Sequence, residues 1–241
     1  QLNTFFEEYF QNGAPCSFHY GGIPVSEQFG ALIRDPSADG KNFTAYRKDL
    51  TISTGKSGAG TIADAQVFKA VLKIRKYQSA IEWWLEMSAG GTYDTRIIDK
   101  LEYASLIVSA TRTFHPSGWK YPLFHWSHGS LAQTDDFQPV TQNFIPESRH
   151  VLSCGGGRTS SGCLPYFNLQ MQENMGVIFA IGWNGQWKAT FQRLDGEPRS
   201  VRFTAEMDDA HFRIHSGETL VLPKVVAFPW EGTEMESYNL F

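Results

Sequence analysis

In residues 68–74 apolar side chains fall on every second position. Phe68, Ala70, Leu72 and Ile74 lie on one side, and Lys69, Lys73 and Arg75 mark the other. A period of two belongs to a strand with one buried face; a helix repeats every 3.6 residues and cannot use it. The period returns at Val201, Phe203, Ala205 and Met207 against Arg202, Thr204 and Glu206, and at Phe212 and Ile214 against His211, Arg213 and His215. Turn signals punctuate these runs: Asp35-Pro36-Ser37, Asp39-Gly40, Asp195-Gly196 and Ser216-Gly217-Glu218. Residues 16–22 read as a strand entering a turn, 97–108 as two strands and 220–228 as a final apolar strand. Residues 77–87 fit either a helix or a strand, and Gly90-Gly91 with the β-rich surroundings favours the strand. Two short helical pieces are read: Leu2, Phe5, Phe6 and Phe10 fit one helical face, and Ser26 caps one brief helix with Phe29, Leu32 and Ile33 on its inner face. Many short strands with almost no helix define an all-β fold, an antiparallel β-sandwich with short helical pieces only. The 241 residues are compatible with one such domain spanning residues 1–241.

Residues 151–187 carry the densest information. The run 177–181 is β-branched and aromatic, bounded by Gly176 and Gly182, and reads as a strand buried on both faces. After it comes Trp183-Asn184-Gly185-Gln186-Trp187. Asn-Gly between apolar segments is a type I′ hairpin signal, because both central residues of that turn need φ > 0. Two readings stand for the tryptophans. Both indoles pack into the core, or Trp187 anchors there while Trp183 lies at a rim beside Asn184, Gln186 and Arg158. Arg158 sits in Gly155-Gly156-Gly157-Arg158-Thr159-Ser160-Ser161, which lacks the Gly-Lys-Ser/Thr ending and following helix of a phosphate-binding loop. Its guanidinium suits a carboxylate or a sugar.

Other chemistries are weaker. A net charge of −4 and a pI near 6.0 give no polyanion-binding signature, so no nucleic acid is expected. No stretch approaches the ~18 continuous apolar residues of a membrane span, and no basic segment followed by an apolar one opens the sequence as a signal peptide would. Three cysteines, Cys16, Cys154 and Cys163, are too few and odd for a disulfide framework, and whether Cys154 and Cys163 pair stays open. His125 and His128 have metal-ligand spacing with Asp135 or Asp136 in reach, but solvated loop histidines are the reading preferred here; no metal or cofactor is expected. Asp135-Asp136 and Asp208-Asp209 are adjacent pairs, whereas glycosidic hydrolysis needs carboxyls on opposite sides of the bond, so they read as surface turns. Residues 109–146, with Trp119, Tyr121, Phe124 and Trp126, read as an extended aromatic loop.

Residues 153–187 resemble the N-terminal domain of the family-36 glycoside hydrolases, the α-galactosidases or melibiases. The resemblance lies in Gly156-Gly157-Arg158-Thr159-Ser160, Leu164-Pro165-Tyr166-Phe167-Asn168-Leu169 and Ala180-Ile181-Gly182-Trp183-Asn184-Gly185-Gln186-Trp187. Pro15-Cys16-Ser17-Phe18-His19-Tyr20-Gly21-Gly22, Glu82-Trp83, Gly129-Ser130, Asp136-Phe137 and Ser216-Gly217-Glu218 extend it, and Trp230-Glu231-Gly232 through Asn239-Leu240-Phe241 resembles the segment leading out of that domain. The resemblance implies a β-supersandwich followed by a (β/α)₈ barrel that carries both catalytic aspartates outside residues 1–241. It further implies a non-catalytic role: packing on the chain's own barrel, shaping the rim of a site for an α-galactoside-type carbohydrate, and supporting a homo-oligomer. The expected substrate-binding residues are Trp183, Asn184, Gln186 and Arg158, and these residues alone are expected to be inactive. The alternative is a free-standing carbohydrate-binding β-sandwich.

Overall fold

The computed structural model describes residues 2–25, 28–54, 66–109, 122–145, 147–195, 200–207 and 209–241. Among them seventeen strands form: β1 (Ser17–Tyr20), β2 (Ile23–Pro24), β3 (Ile33–Arg34), β4 (Thr44–Thr54), β5 (Gln66–Lys76), β6 (Ile81–Gly90), β7 (Ile98–Ser109), β8 (Leu123–Ser127), β9 (Pro139–Asn143), β10 (Arg149–Ser153), β11 (Tyr166–Gln172), β12 (Met175–Gly182), β13 (Lys188–Leu194), β14 (Ser200–Glu206), β15 (His211–Phe212), β16 (Thr219–Val221) and β17 (Lys224–Glu231). They assemble into two antiparallel sheets. The smaller runs β10-β13-β14-β7-β1-β2, with β15 also on β7. The larger runs β3-β4-β5-β6-β17-β12-β11-β8-β9, with β16 also on β6.

The period of two sets what each sheet turns inward. In β5, Phe68, Ala70, Leu72 and Ile74 are all buried, as the alternation predicts. Across the gap an aromatic chain joins the sheets. Phe124 and Phe179 of the larger sheet reach Phe191 and Phe203 of the smaller one, with centroids 4.4 Å apart for Phe124–Phe191 and 4.3 Å for Phe179–Phe203. Trp83 adds a polar tie, donating its indole N–H to the Tyr103 carbonyl at 3.1 Å. The N-terminal segment, α1 (Leu2–Phe6) continuing into a π-helical turn (Glu7–Gln11), buries Phe5, Phe6 and Phe10. Phe10 meets Trp83 edge-on at 5.4 Å, so this segment completes the same core. The buried Lys48 ammonium donates to the carbonyls of Gln11 and Gly13, where the turn ends.

Strand β12 is covered on both faces, as its sequence predicts. Val177, Phe179 and Ile181 enter the main core, while Ile178 joins Phe228 and Trp230 in a second cluster. Helix α2 (Glu234–Leu240) is tied to this side through side chains. Asn168 donates to Ser237 Oγ at 3.1 Å and accepts from the Trp230 indole at 2.9 Å.

Four expectations need correction. Residues 28–32 form no helix, and Ile33 is an exposed strand residue; the proposed cap, Ser26, lies outside the described residues. Residues 98–109 make one twelve-residue strand rather than two. The partners β1 and β14 shift register along it, and Lys100 takes φ 48°, so bulges absorb the irregularity without ending the strand. Residues 220–228 divide into the end of β16 and most of β17, because Pro223 has no N–H for a ladder. The aromatic segment 109–146 also holds order: β8 and β9 pair within it, although residues 110–121, with His115, Trp119 and Tyr121, lie outside the described residues.

Candidate functional site

Three connections meet at one end of the sandwich: residues 128–138, 154–163 and 183–187. The third departs from its sequence reading. β12 belongs to the larger sheet and β13 to the smaller, so residues 183–187 cross between sheets and close no hairpin. Neither Asn184 nor Gly185 has a positive φ, which excludes the type I′ turn. Trp183 and Gln186 therefore do not face each other as a hairpin pair. Instead the Trp183 indole folds over Gly185, where an added Cβ would lie 2.6 Å from Nε1. Trp183 is half-buried at the edge of the core. Trp187 is 1% exposed, meets Phe167 edge-on at 5.6 Å and donates its indole N–H to the Thr159 carbonyl at 2.8 Å.

That last bond fixes the glycine-rich connection. Gly155, Gly156 and Gly157 take φ of +69°, +144° and +83°, values that exclude side chains and let the chain reverse tightly. The Gly162 N–H closes the loop on the Cys154 carbonyl at 2.7 Å. Arg158 stands exposed at its tip, next to the Thr159 carbonyl that Trp187 holds. Cys154, Cys163 and Cys16 are buried free thiols, so Cys154 and Cys163 do not pair here. Cys163 donates to the Ser153 carbonyl at 3.2 Å, and burial pushes its thiol up to about 12. Burial also pushes the Cys154 thiol up, but the amides of Gly156, Trp187 and Gly157 outweigh it and leave the thiol below its usual range.

Residues 128–138 interlock with this loop. Gly129 donates to the Gly162 carbonyl at 3.1 Å and Ser130 to the Ser160 carbonyl at 2.8 Å. An added Cβ at Gly129 would lie 2.0 Å from the Ser160 oxygen, so only glycine permits this approach. Asp136 organises the turn, accepting from Ser130 Oγ and from the N–H groups of Leu131, Ala132 and Gln133. The Ser130 hydroxyl, with those amides, holds its carboxyl below the usual carboxylate range. His128 contacts Asp135 at 3.1 Å and stacks on Trp126 at 5.2 Å and 10°. His125, by contrast, is buried, with Nδ1 2.9 Å from Thr141 Oγ1 and 3.3 Å from Glu234 Oε1 and Nε2 3.1 Å from Gln170 Oε1. Both its nitrogens are committed, and among the described residues no group of three His, Cys, Asp or Glu side chains is placed to hold a metal.

The structure thus brings the connections bearing Arg158, Trp183, Asn184 and Gln186 to one end. Arg158, Asn184 and Gln186 are exposed, and Trp183 is half-buried beside them in the chain. The sequence singles out Trp126, His128 and Thr159 by type but does not bring them to this end. The available signal was Gly129-Ser130 followed by Asp136, an aspartate placed to gather the amides of a turn. Asp208 lies outside the described residues, and Asp209 takes φ 53°. Such an end, with an aromatic edge, amides and one guanidinium over a hydrogen-bonded base, can hydrogen-bond and stack a polyhydroxylated ligand.

Comparison with known proteins supplies a fold. No protein-family model and no curated protein sequence matches the chain. Solved structures do. The α-galactosidase of Lactobacillus brevis superposes with a TM-score of 0.62 at 11% identity, over 93% of this chain and 30% of that one. The GH36 α-galactosidase AgaA of Geobacillus stearothermophilus gives 0.58 at 8% identity, over 91% and 30%. The galactosidase domain of the α-galactosidase-sucrose kinase AgaSK gives 0.58 at 12% identity, over 90% and 30%. At these identities the likeness is one of fold, and the chain spans about 30% of the length of each enzyme. No helix among the described residues is long and apolar enough to cross a membrane.

Proposed function

We propose that residues 1–241 form one non-catalytic β-sandwich domain of an α-galactosidase-like glycoside hydrolase, and that the loop end lines the rim of the active site on the barrel. The observation that carries this reading is the superposition of nearly the whole sandwich on about 30% of α-galactosidases, with a TM-score of 0.62 for one of them. The architecture supports it further. The last residue of α2's segment, Phe241, lies 6.5 Å from Tyr166, at the start of the strand that follows the glycine-rich loop. A barrel continuing from there would begin beside the loop end. Trp183 offers the sugar an apolar face, Asn184 and Gln186 offer amides, and Arg158 offers a cation. Hydrolysis itself needs two carboxyls about 5–9.5 Å apart across the bond, and that pair belongs to the barrel.

The test has two parts. The purified 241-residue protein is expected to leave an aryl α-galactoside intact. Reading the coding DNA beyond Phe241 is expected to show a barrel-encoding frame, and in that longer enzyme Trp183→Ala is expected to lower kcat/KM while lowering the melting temperature far less than Trp187→Ala does. Turnover by the 241-residue protein, or a stop codon directly after Phe241, would overturn the proposal.

A further inference from the structure

The glycine-rich loop begins and ends on two buried thiols that the rim does not use. Cys154 opens it and Cys163 closes it, with residues 155–162 between them. Their backbones run side by side. The Gly162 N–H reaches the Cys154 carbonyl at 2.7 Å, and a Cβ added to Gly155 would lie 3.0 Å from the Gly162 Cα. The Cys163 thiol donates at 3.2 Å to the Ser153 carbonyl, the oxygen of the peptide unit that leads into Cys154. Its sulfur therefore stands one peptide unit from Cys154. Antiparallel backbones joined by hydrogen bonds bring Cα atoms to about 4.5–5.5 Å, inside the about 4.4–6.8 Å that a disulfide spans.

The two sulfurs differ in what surrounds them. The positive φ values of Gly155, Gly156 and Gly157 turn the N–H groups of Gly156 and Gly157 onto the Cys154 sulfur, and the Trp187 N–H reaches it from the third connection. Successive backbone N–H groups aimed at one point make an anion-binding concavity. Here the anion is the chain's own thiolate, the nucleophilic form of cysteine. Burial raises the Cys154 thiol, but those amides outweigh burial and hold it below its usual range. Burial, with the Cys154 sulfur nearby, pushes the Cys163 thiol up to about 12. Cys16 is also pushed up to about 12 by burial, in a different segment beside Lys48. The residues that wrap the Cys154 sulfur, 155–157, bring backbone without side chains, and an added Cβ at Gly156 or Gly157 would meet no atom within 4 Å. A cover one backbone thick can part for a molecule as small as hydrogen peroxide.

We propose that Cys154 and Cys163 are a peroxide-responsive pair, with Cys154 the sulfur that peroxide oxidises and Cys163 the thiol that then closes a disulfide across the glycine-rich loop. In the first step the Cys154 thiolate attacks one peroxide oxygen. An S–O bond forms and the O–O bond breaks, giving a sulfenic acid and a hydroxide that takes up the proton lost by the thiol. In the second step the Cys163 sulfur attacks Cys154. The S–S bond forms, the S–O bond breaks, and the hydroxide leaves as water with the Cys163 proton. The two thiols give up two electrons, and the peroxide accepts them and ends as two waters. A disulfide sulfur carries no charge for the amides of Gly156, Gly157 and Trp187. Oxidation therefore ties the two ends of the loop while releasing it from the third connection. This goes beyond the barrel reading, since it needs neither barrel nor sugar.

The experiment treats the folded 241-residue protein with hydrogen peroxide and follows intact mass and non-reduced peptide maps. The wild-type protein is expected to lose two hydrogens, to show one link between the peptides holding Cys154 and Cys163, and to recover both thiols in dithiothreitol. Cys163→Ser removes the second step, so dimedone should trap a sulfenic acid on Cys154, at least about tenfold faster than on Cys16. Cys16→Ser is expected to leave the link unchanged. The wild-type map and the dimedone label are each decisive alone, so a variant that fails to fold leaves the other measurement standing. Absence of the link at millimolar peroxide overturns the proposal. So does a link through Cys16 or between two chains, or dimedone labelling of Cys16 ahead of Cys154. None of these outcomes bears on the barrel reading, which stands or falls on the coding frame and the assay of the longer enzyme.

Discussion

Trp187 and Trp183 are four residues apart, yet they occupy different physical situations. Trp187 fills the core and spends its only donor on the Thr159 carbonyl, whereas Trp183 lies at the edge over Gly185. Truncating a buried Trp removes packing and leaves a cavity, typically costing about 3–5 kcal/mol. Trp187→Ala is therefore expected to cost that much in urea unfolding and to loosen the glycine-rich loop, while Trp183→Ala costs far less; equal losses would place both indoles in the core. His150 makes a pH-dependent prediction. It is half-buried against Phe124 and Phe144, its Nε2 lacks a partner, and burial holds its pKa below the usual 6.5. The unfolded chain then gains a proton at a higher pH than the folded one. Stability from this group is present above about pH 6.5 and declines as the pH falls toward the folded-state value. His150→Phe removes the titration and leaves no polar atom unpaired. It is expected to flatten that part of the acid limb in urea unfolding between pH 8 and pH 5; an unchanged slope would exclude His150 as its source.

Helix α2 is the element whose stability rests most visibly on a few polar contacts. Thr233 and Glu236 form a reciprocal capping box at its N-terminus, with the Glu236 carboxylate accepting from the Thr233 N–H at 2.8 Å. Gly232, at φ +127°, makes the entry that a side chain would resist. Thr233→Ala is expected to cost about 1 kcal/mol and to speed amide exchange in α2 more than in β17; equal acceleration in both would mean that the cap serves the sheet. Elements of this kind also show what a sequence reveals. Alternation placed β5 and β14 because the apolar side chains of each fall on one face, and that pattern is local. The pairing partner is not local. Asn184-Gly185 has the composition of a hairpin, yet the chain there leaves the larger sheet for the smaller, because β17 already occupies the place beside β12 that β13 would take. Leu222-Pro223 and the bulges of β7 mislead for a related reason: where a strand ends or bends depends on whether its neighbours' ladders continue. The loop end was half legible. Its glycines and tryptophans stand out as residue types, while the Gly129–Ser160 approach and the Trp187–Thr159 bond join segments some 30 residues apart. Only the three-dimensional arrangement reveals them.

At the scale of the molecule, the N-terminal segment and both sheets share one core. Phe5, Phe6 and Phe10 from the N-terminal segment, Trp83 from the larger sheet, Tyr103 from the smaller and Val225 from β17 belong to a single buried cluster. Two features make its parts interdependent. The aromatic chain Phe124–Phe191–Phe203–Phe179 begins and ends in the larger sheet and passes through two paired strands of the smaller, so separating the sheets breaks both its end contacts. The strand order mixes early and late strands, with β17 lying between β6 and β12, so neither half of the sequence can complete the larger sheet alone. A chain built this way is expected to unfold as one unit. Scanning calorimetry should show one transition with equal calorimetric and van't Hoff enthalpies. Removing residues 1–11 supplies the sharper test. It strips three buried phenylalanines from the core and uncovers Trp83, so it should lower the transition temperature while leaving one transition. Fluorescence of the tryptophans and far-ultraviolet circular dichroism should still report the same midpoint. Two separate transitions, or a tryptophan midpoint that departs from the dichroism midpoint after the truncation, would show that the sheets hold themselves together independently.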